Sequence, residues 1–375
     1  MSSDENHTSP SNTSRKRGGS ALRMGPRKKA TSSNPLVLHG RHFGRTVFAL
    51  CNYPALLTAG ILRLEELQDS PIEDHPADVR REHRVFLELV DSYPGLLDHL
   101  TNGEEDDIIH VGELLGKGAS GARGDDTKTL KSAVLEWLMP KGQALIPPLS
   151  RNIKSDRGFN HEVTGALLCP AGLDWSNAET KQSLKSGETA VRGDQWPMFL
   201  YAGYVYDSED PWKGLLKSEI LVFGFKHVFT CPSSVDKEPK ATRSGNAYLH
   251  GMKSVTKGSL AYIATQACMS FHIICLPPLT LSFLQLRFSL SSSSVFSRTD
   301  MVTDSENFYH SILDLLEDPD ESEEVTDLMT WWTRRIFPNS SSSQRSISTN
   351  SALSKIRTKR AALRERLGAS TTSTT

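Results

Sequence analysis

ACMSFHIICLPPLTLSFLQ, residues 267–285, is an apolar run set between two polar segments that read naturally when joined, and its reading decides between a membrane and a water-soluble fold. From Gly258 to Leu286 no side chain carries a charge. A helix of that length crosses a hydrocarbon core of roughly 30 Å, so one reading is a single membrane span over 258–286. Against a span stand Pro277 and Pro278 at its centre, His272 and several hydroxyls within it, and basic residues on both sides (Lys253 and Lys257 before, Arg287 and Arg298 after). Those flanks give no positive-inside bias and no clean anchor belt, so membrane insertion is not expected. A second reading makes the run an insertion buried in the core.

The third reading, which we adopt, is a translated intron. Ala267-Cys268 permits the codons GCATGT, a minor-class 5′ splice signal, Leu279-Thr280 permits a CTNAC branch signal, and Leu284-Gln285 permits a TACAG acceptor. The run keeps the frame, and its removal joins SLAYIATQ to LRFSLSSSSVFSRTD with no apolar excess left over.

Outward from this run, the two ends of the chain differ in texture from its middle. Residues 1–37 are Ser, Asn, Thr, Lys and Arg with few apolar side chains, and 338–375 are Ser/Thr-rich around a basic patch, so both read as disordered basic tails. Residues 38–337 are expected to form one globular domain, with 267–285 as the insertion. Lys and Arg total 43 against 44 Asp and Glu, a net charge of −1, which excludes a uniformly basic nucleic-acid-coating surface. Cysteines at 51, 169, 231, 268 and 275 form no CxxC pair, which fits a reducing compartment and no zinc ribbon. No apolar stretch follows the N-terminal charges, so no secretory leader is expected. Instead Arg15, Lys16, Arg17 and Arg27, Lys28, Lys29 form two basic clusters spaced as a bipartite nuclear-import signal, which an import receptor would read as an extended peptide.

The expected fold is mainly α: a helical bundle in the first third, a loop-rich middle with short strands or helices, and two C-terminal helices. Residues 40–66 read as two short helices with Pro54 able to start the second, and 76–100 as an amphipathic helix broken by Pro94. Residues 104–116 read as another, and 127–139 as a fourth, capped by Asp125 or Asp126. Between these last two, Gly116-x-Gly118-x-x-Gly121 looks like the phosphate-covering loop of a protein kinase. No VAIK, HRD or DFG follows, and the preceding residues read as helix, so a flexible helix-to-helix linker is expected. YAGYVYD (201–207) and ILVFGFKHVFT (220–230) have strand-like composition, although the first also fits a helix. Helices are expected over 303–315 and 323–336, the second with Trp331 and Trp332 plugging the core.

Two constellations carry possible chemistry. Asp156, His161, Glu162 and Asp174 gather acid and imidazole groups in a loop-rich region, the residue types that hold Mg²⁺ or Mn²⁺ for phosphodiester hydrolysis. No pair among them has a diagnostic ligand spacing, so no metal or other cofactor is expected. In residues 233–254, Lys237, Lys240, Arg243, Lys253 and His250 alternate with Gly, Ser and Asn, a pattern suited to following a phosphate backbone. KIRTKRAALRERL (355–367) is an arginine-rich helical candidate for the same kind of partner.

Seven blocks of this sequence resemble one family: GRHFGRTVFALCNYPALLTAGIL, LLGKGASGARGDDTKTLKSAVLEWL, LSRNIKSDRGFNHEVTGALLCPAGLDW, GDQWPMFLY with DPWKGLL, SSVDKEPKATRSGNA, and LSSSSVFSRTDMVTDSENFYHSILDLLEDPDE. That family is an uncharacterised one multiplied in mushroom-forming basidiomycete fungi, and the resemblance spans about 38–337. It implies no activity, because the family has no catalytic or binding residues to carry over, and its multiplication hints at mobile-element-linked genes. The family pattern lacks 267–285. The expected function is that of a nuclear interaction protein meeting nucleic acid or a nucleoprotein partner. The alternatives are a metal-dependent phosphodiesterase and a single-span membrane protein.

A fluorescent fusion at the native locus separates these. Nuclear signal that disperses when Arg15–Arg17 and Arg27–Lys29 are changed to alanine is the expected result. Membrane signal indifferent to those changes would mean that the apolar run is translated and inserted.

Overall fold

The computed structural model describes residues 34–67, 71–138, 145–149, 156–235, 245–271 and 305–338, together with Lys359. The basic clusters at 15–17 and 27–29, Lys237, Lys240, Arg243, residues 272–285 and, Lys359 apart, the helical candidate 355–367 lie outside the described residues.

Local signals set the first helices. In α1 (Pro35–Thr46) and α2 (Tyr53–Glu66) proline occupies the first turn, where its missing N–H is not needed, and the Asn52 side chain caps α2. α3 (Ala77–Ser92) buries Val85, Phe86, Leu89 and Val90 on one face. After Pro94, Gly95 turns left-handed (φ 78°) and α4 (Leu96–Asn102) begins.

The glycine-rich linker expected over 116–125 is instead the middle of one 33-residue helix, α5 (Glu105–Trp137). Its glycines are packing notches. A Cβ on Gly118 would lie 2.1 Å from the Val37 carbonyl oxygen, and one on Gly112 2.6 Å from Pro54 N. From the other side, a Cβ on Gly40 of α1 would meet the Leu115 oxygen at 2.2 Å, and one on Gly44 the Ala119 Cβ at 2.8 Å. Backbone-to-backbone contact over α1 and α2 compensates the propensity cost of about 1 kcal/mol per helical glycine. Asp125 and Asp126, read as caps, are mid-helix: Asp125 pairs with Arg41 at 2.6 Å near the surface, and Asp126 is buried.

The middle is helical and turn-rich, with no β-strand among the described residues; Pro170 and Pro197 make an isolated bridge. It contains α6 (Glu162–Leu168), α7 (Ala178–Ser186) and α8 (Glu219–Phe225), the last continuing as a π-turn through Thr230. The strand reading of 220–230 fails because its buried residues, Ile220, Leu221, Val222, Phe225, Val228 and Phe229, follow the helical period, with Phe225 and Phe229 stacked at 4.4 Å. YAGYVYD forms a 3₁₀ turn over Ala202–Tyr204 rather than a strand, with Gly203 and Tyr204 both at positive φ. Then come α9 (Asn246–Leu249), α10 (Lys257–Phe271), α11 (Ser305–Glu317) and α12 (Ser322–Ile336). Trp332 is fully buried, and its Nε1 donates to the Leu216 carbonyl at 2.9 Å. That bond helps to hold Leu216 at φ 55°, a left-handed backbone that a leucine adopts only at a cost.

α10 accounts for the first half of the uncharged run. Every residue from Gly258 to Cys268 is buried, against α1, α5, α6, α8 and α11. A helix enclosed on all sides excludes charge for the same reason a membrane span does. Among the described residues no helix is long and apolar enough to cross a membrane. Ala267 and Cys268 belong to this buried helix, so the segment expected as an insertion begins inside it.

Tyr262 and Gln266 of α10 make polar contacts to the neighbouring helices. Arg45 of α1 grips Asp126 of α5 through two bonds, Nε to Oδ2 at 2.7 Å and Nη2 to Oδ1 at 2.8 Å, and the Tyr262 hydroxyl donates to Oδ2 at 2.6 Å. Burial and the Asp126 carboxylate push the Tyr262 phenol well above its usual range, so it remains a donor. One turn along, Thr127 donates to Gln266 Oε1 at 2.6 Å. The Ala49 backbone is held between elements: its N–H donates to Tyr309 of α11 and its carbonyl accepts from Arg123 of α5. At the rim, Arg81 and Arg84 of α3 clasp Glu317 of α11 at 3.0 and 2.6 Å.

Two predictions follow the packing. Gly118→Ala should lower stability by about 1–3 kcal/mol through overpacking. Gly116→Ala, whose Cβ would meet only Tyr53 at 3.7 Å, should be neutral or stabilising by up to about 1 kcal/mol; equal denaturation midpoints for the two variants would restore the linker reading. Asp126→Asn leaves the Arg45 charge buried without its counter-ion and should cost about 3–5 kcal/mol. The charge-free combination Arg45→Met, Asp126→Leu, Tyr262→Phe should lose less than Asp126→Asn alone, and a larger loss in urea unfolding would contradict the account.

Candidate nucleic-acid interface

The structure gives the acid and imidazole constellation structural work. His161 is buried and caps α6: its Nδ1 accepts from the Val163 N–H at 3.1 Å, so Nε2 carries the proton and donates to the Pro147 carbonyl at 2.9 Å. Neither nitrogen then offers a lone pair to a metal. Glu162 Oε1 accepts from Trp175 Nε1 at 3.0 Å and from Lys181 at 2.5 Å, and the Lys181 bond holds this carboxyl below its usual range. Asp174 closes a turn on Ser176, at 2.8 Å to its N–H and 2.7 Å to its hydroxyl. The Ser176 bonds lower its carboxyl first, with Lys181 adding to them. Glu162 and Asp174 thus come near each other around Trp175, but a lysine ammonium already neutralises that position. Asp156 is exposed. Among the described residues no three His, Cys, Asp or Glu side chains gather into a group that could hold a metal.

The basic segment has a firmer frame. Three of its cations are outside the described residues, while Lys253 is exposed. The turn that precedes the segment is held against Gly245 and Asn246 within it. On the upstream side stands the π-turn that ends at Thr230. On the downstream side Gly245 lies so close to that turn that a Cβ would sit 1.5 Å from the Thr230 carbonyl oxygen, and Asn246 Nδ2 donates to the Val228 carbonyl at 2.6 Å. Gly245 and Asn246 are thus in direct contact with the Val228–Thr230 turn.

Apart from His250, what that place presents was not singled out from the sequence. α9 turns Ala247 inward and leaves Tyr248 79 % and Leu249 65 % exposed. Gly251, at φ 66°, ends the turn, and the Met252 N–H returns to the Ala247 carbonyl at 2.8 Å. His250 stacks on His42 of α1, ring centroids 4.1 Å apart and planes within 11°. Burial lowers the His42 imidazole to about 4, helped by His250, His39 and Arg45. His250 is lowered by burial and then by Arg45. Both imidazoles are thus pushed toward the neutral form, and Arg45 is already paired with Asp126. Tyr248 and His250 were visible in the sequence within the basic segment, but their orientation was not, and nothing local links His42 to them.

No curated protein and no solved structure matches the chain. Residues 117–272 and 281–337 match a family of unknown function, DUF6698, with a break over 273–280, inside the apolar run and narrower than the expected insertion. The match begins within α5, takes in the buried α10 and the framed basic segment, and ends just beyond α12, covering more than half of the sequence; the chain belongs to the DUF6698 family.

Proposed function

We propose that this protein binds nucleic acid, with the basic segment 233–254 as its contact surface and the N-terminal clusters directing it to the nucleus. The observation that carries the reading is the contact of Gly245 and Asn246 with the turn that ends at Thr230, which brackets the stretch of sequence holding Lys237, Lys240 and Arg243. Lys237, Lys240, Arg243 and Lys253 supply the phosphate contacts. Phosphate contacts of this kind give affinity that falls steeply with salt because bound counter-ions are released. His161, Glu162 and Asp174 serve the fold in this reading, through a cap, a turn and the Lys181 pair.

The test is binding of labelled oligonucleotides by the full chain across a salt series. Exchange of Lys237, Lys240 and Arg243 for glutamate should weaken binding at least tenfold and flatten the salt slope by about 2 to 3. Affinity and slope unchanged by the triple exchange would remove the proposal.

A further inference from the structure

The contacts between α2 and α3 run antiparallel. A Cβ on Gly60 would meet the Phe86 ring at 2.2 Å, and one turn along α2 from there Arg63 Nη2 donates to Glu82 Oε2 at 3.1 Å. His83 follows Glu82 and lies one turn before Phe86, against which its ring is stacked with centroids 6.3 Å apart. His75 ends the turn Ile72–Asp74 that leads into α3.

Three nitrogen atoms at this junction are buried and have no hydrogen-bond partner among the described residues: Arg63 Nη1, His83 Nδ1 and His75 Nε2. His83 is 6 % exposed and the Arg63 side chain 11 %, so solvent does not serve these atoms. Burial lowers the His83 imidazole, and Arg63 and then His75 lower it further, which places both within electrostatic reach of it. Buried polar groups nearly always find a partner, and three orphans gathered at one junction imply a ligand.

The chemistry of the three atoms selects its class. The guanidinium nitrogen only donates, and an imidazole nitrogen donates in the right tautomer or when protonated, so a group made of acceptors satisfies all three. A metal ion fits worse, because Arg63 already brings a positive charge to the place. Among the described residues, moreover, no three His, Cys, Asp or Glu side chains gather to hold one.

We propose that the α2–α3 junction binds a small oxyanion, received by Arg63 Nη1, His83 Nδ1 and His75 Nε2. Glu82, on the outer side of Arg63, already balances the guanidinium. The entering anion therefore brings a negative charge without a counter-ion, and His83, neutral beforehand, offsets it by taking up a proton. Affinity is then greatest on the acid side and falls as pH rises, by up to about tenfold per pH unit for one proton taken up. The site is separate from the basic segment, and its test does not depend on the nucleic-acid reading.

The experiment is isothermal titration calorimetry of the full chain with sulfate and with formate, neither of which titrates between about pH 5.5 and 7.5, at constant ionic strength across that range. Arg63→Gln should weaken binding roughly ten- to hundredfold, as loss of a charge-assisted bond does. Glu82→Gln, at a side chain that is 40 % exposed, should strengthen it by freeing the guanidinium from its counter-ion. His83→Gln keeps an N–H donor but cannot take up a proton, so its residual binding should lose the pH dependence. Sulfate alone binding in this pattern marks a tetrahedral ligand, formate alone a planar carboxylate, and either supports the site. No heat from either probe at about pH 5.5 with the parent chain folded would overturn it. Binding that Glu82→Gln leaves unchanged and that keeps its pH dependence in His83→Gln lies elsewhere, and would overturn it as well.

Discussion

The fold depends on one carboxylate. Asp126 sits at the middle of α5, buried, and takes two bonds from Arg45 of α1 and one from Tyr262 of α10. Moving a charged pair into the interior costs several kcal/mol per ion, recovered only with near-ideal geometry and with the remaining lone pairs used. Here the guanidinium is bidentate and the phenol takes a further lone pair. The same contact fixes the rotation of α10: with Tyr262 on Asp126, Gln266 falls one turn along, on Thr127. A helix apolar on all sides has few features to set its register, and these two polar contacts supply it.

Arg45 reaches Asp126 because α1 lies unusually close to α5. Gly40 and Gly44 on one helix and Gly118 on the other remove the side chains that would hold the axes apart. The glycines that make the sequence look like a loop are therefore what allows a long helix to be covered. Between α10 and α11, residues 272–304 lie outside the described residues, and the family match is interrupted over 273–280.

The polar surface divides in two. Around α6 and Trp175, acids are neutralised by Lys181, by backbone N–H groups or by hydroxyls, and they tie loops together. Around α9 the fold does the opposite: it spends backbone contacts on holding an aromatic ring in solvent. Bonds already made to the fold leave a group little to offer a ligand, and a ring held out of the core has most of its face available.

Helix content was legible in the sequence wherever apolar periodicity met a cap or a breaker. Pro54 at the start of the second helix, Phe86 and Val90 on the buried face of the next, and Trp332 in the last helix read correctly, because those signals act within a few residues, whereas the Asn52 cap and the buried Val85 and Leu89 were not singled out. The same periodicity placed the chain among mainly α proteins, and the quoted blocks tied it to an uncharacterised family. Tertiary structure decided the rest. Whether Gly116–Gly121 is linker or helix depends on what packs against it, and Val37 is far away in sequence. Whether an uncharged run is membrane span or core depends on what surrounds it, and for Gly258–Cys268 the answer is five other helices. Whether Glu162 is a ligand or a tether depends on Lys181 and Trp175. Residue type and spacing state what a side chain is able to do; the neighbours brought to it by folding determine which of those possibilities is still open.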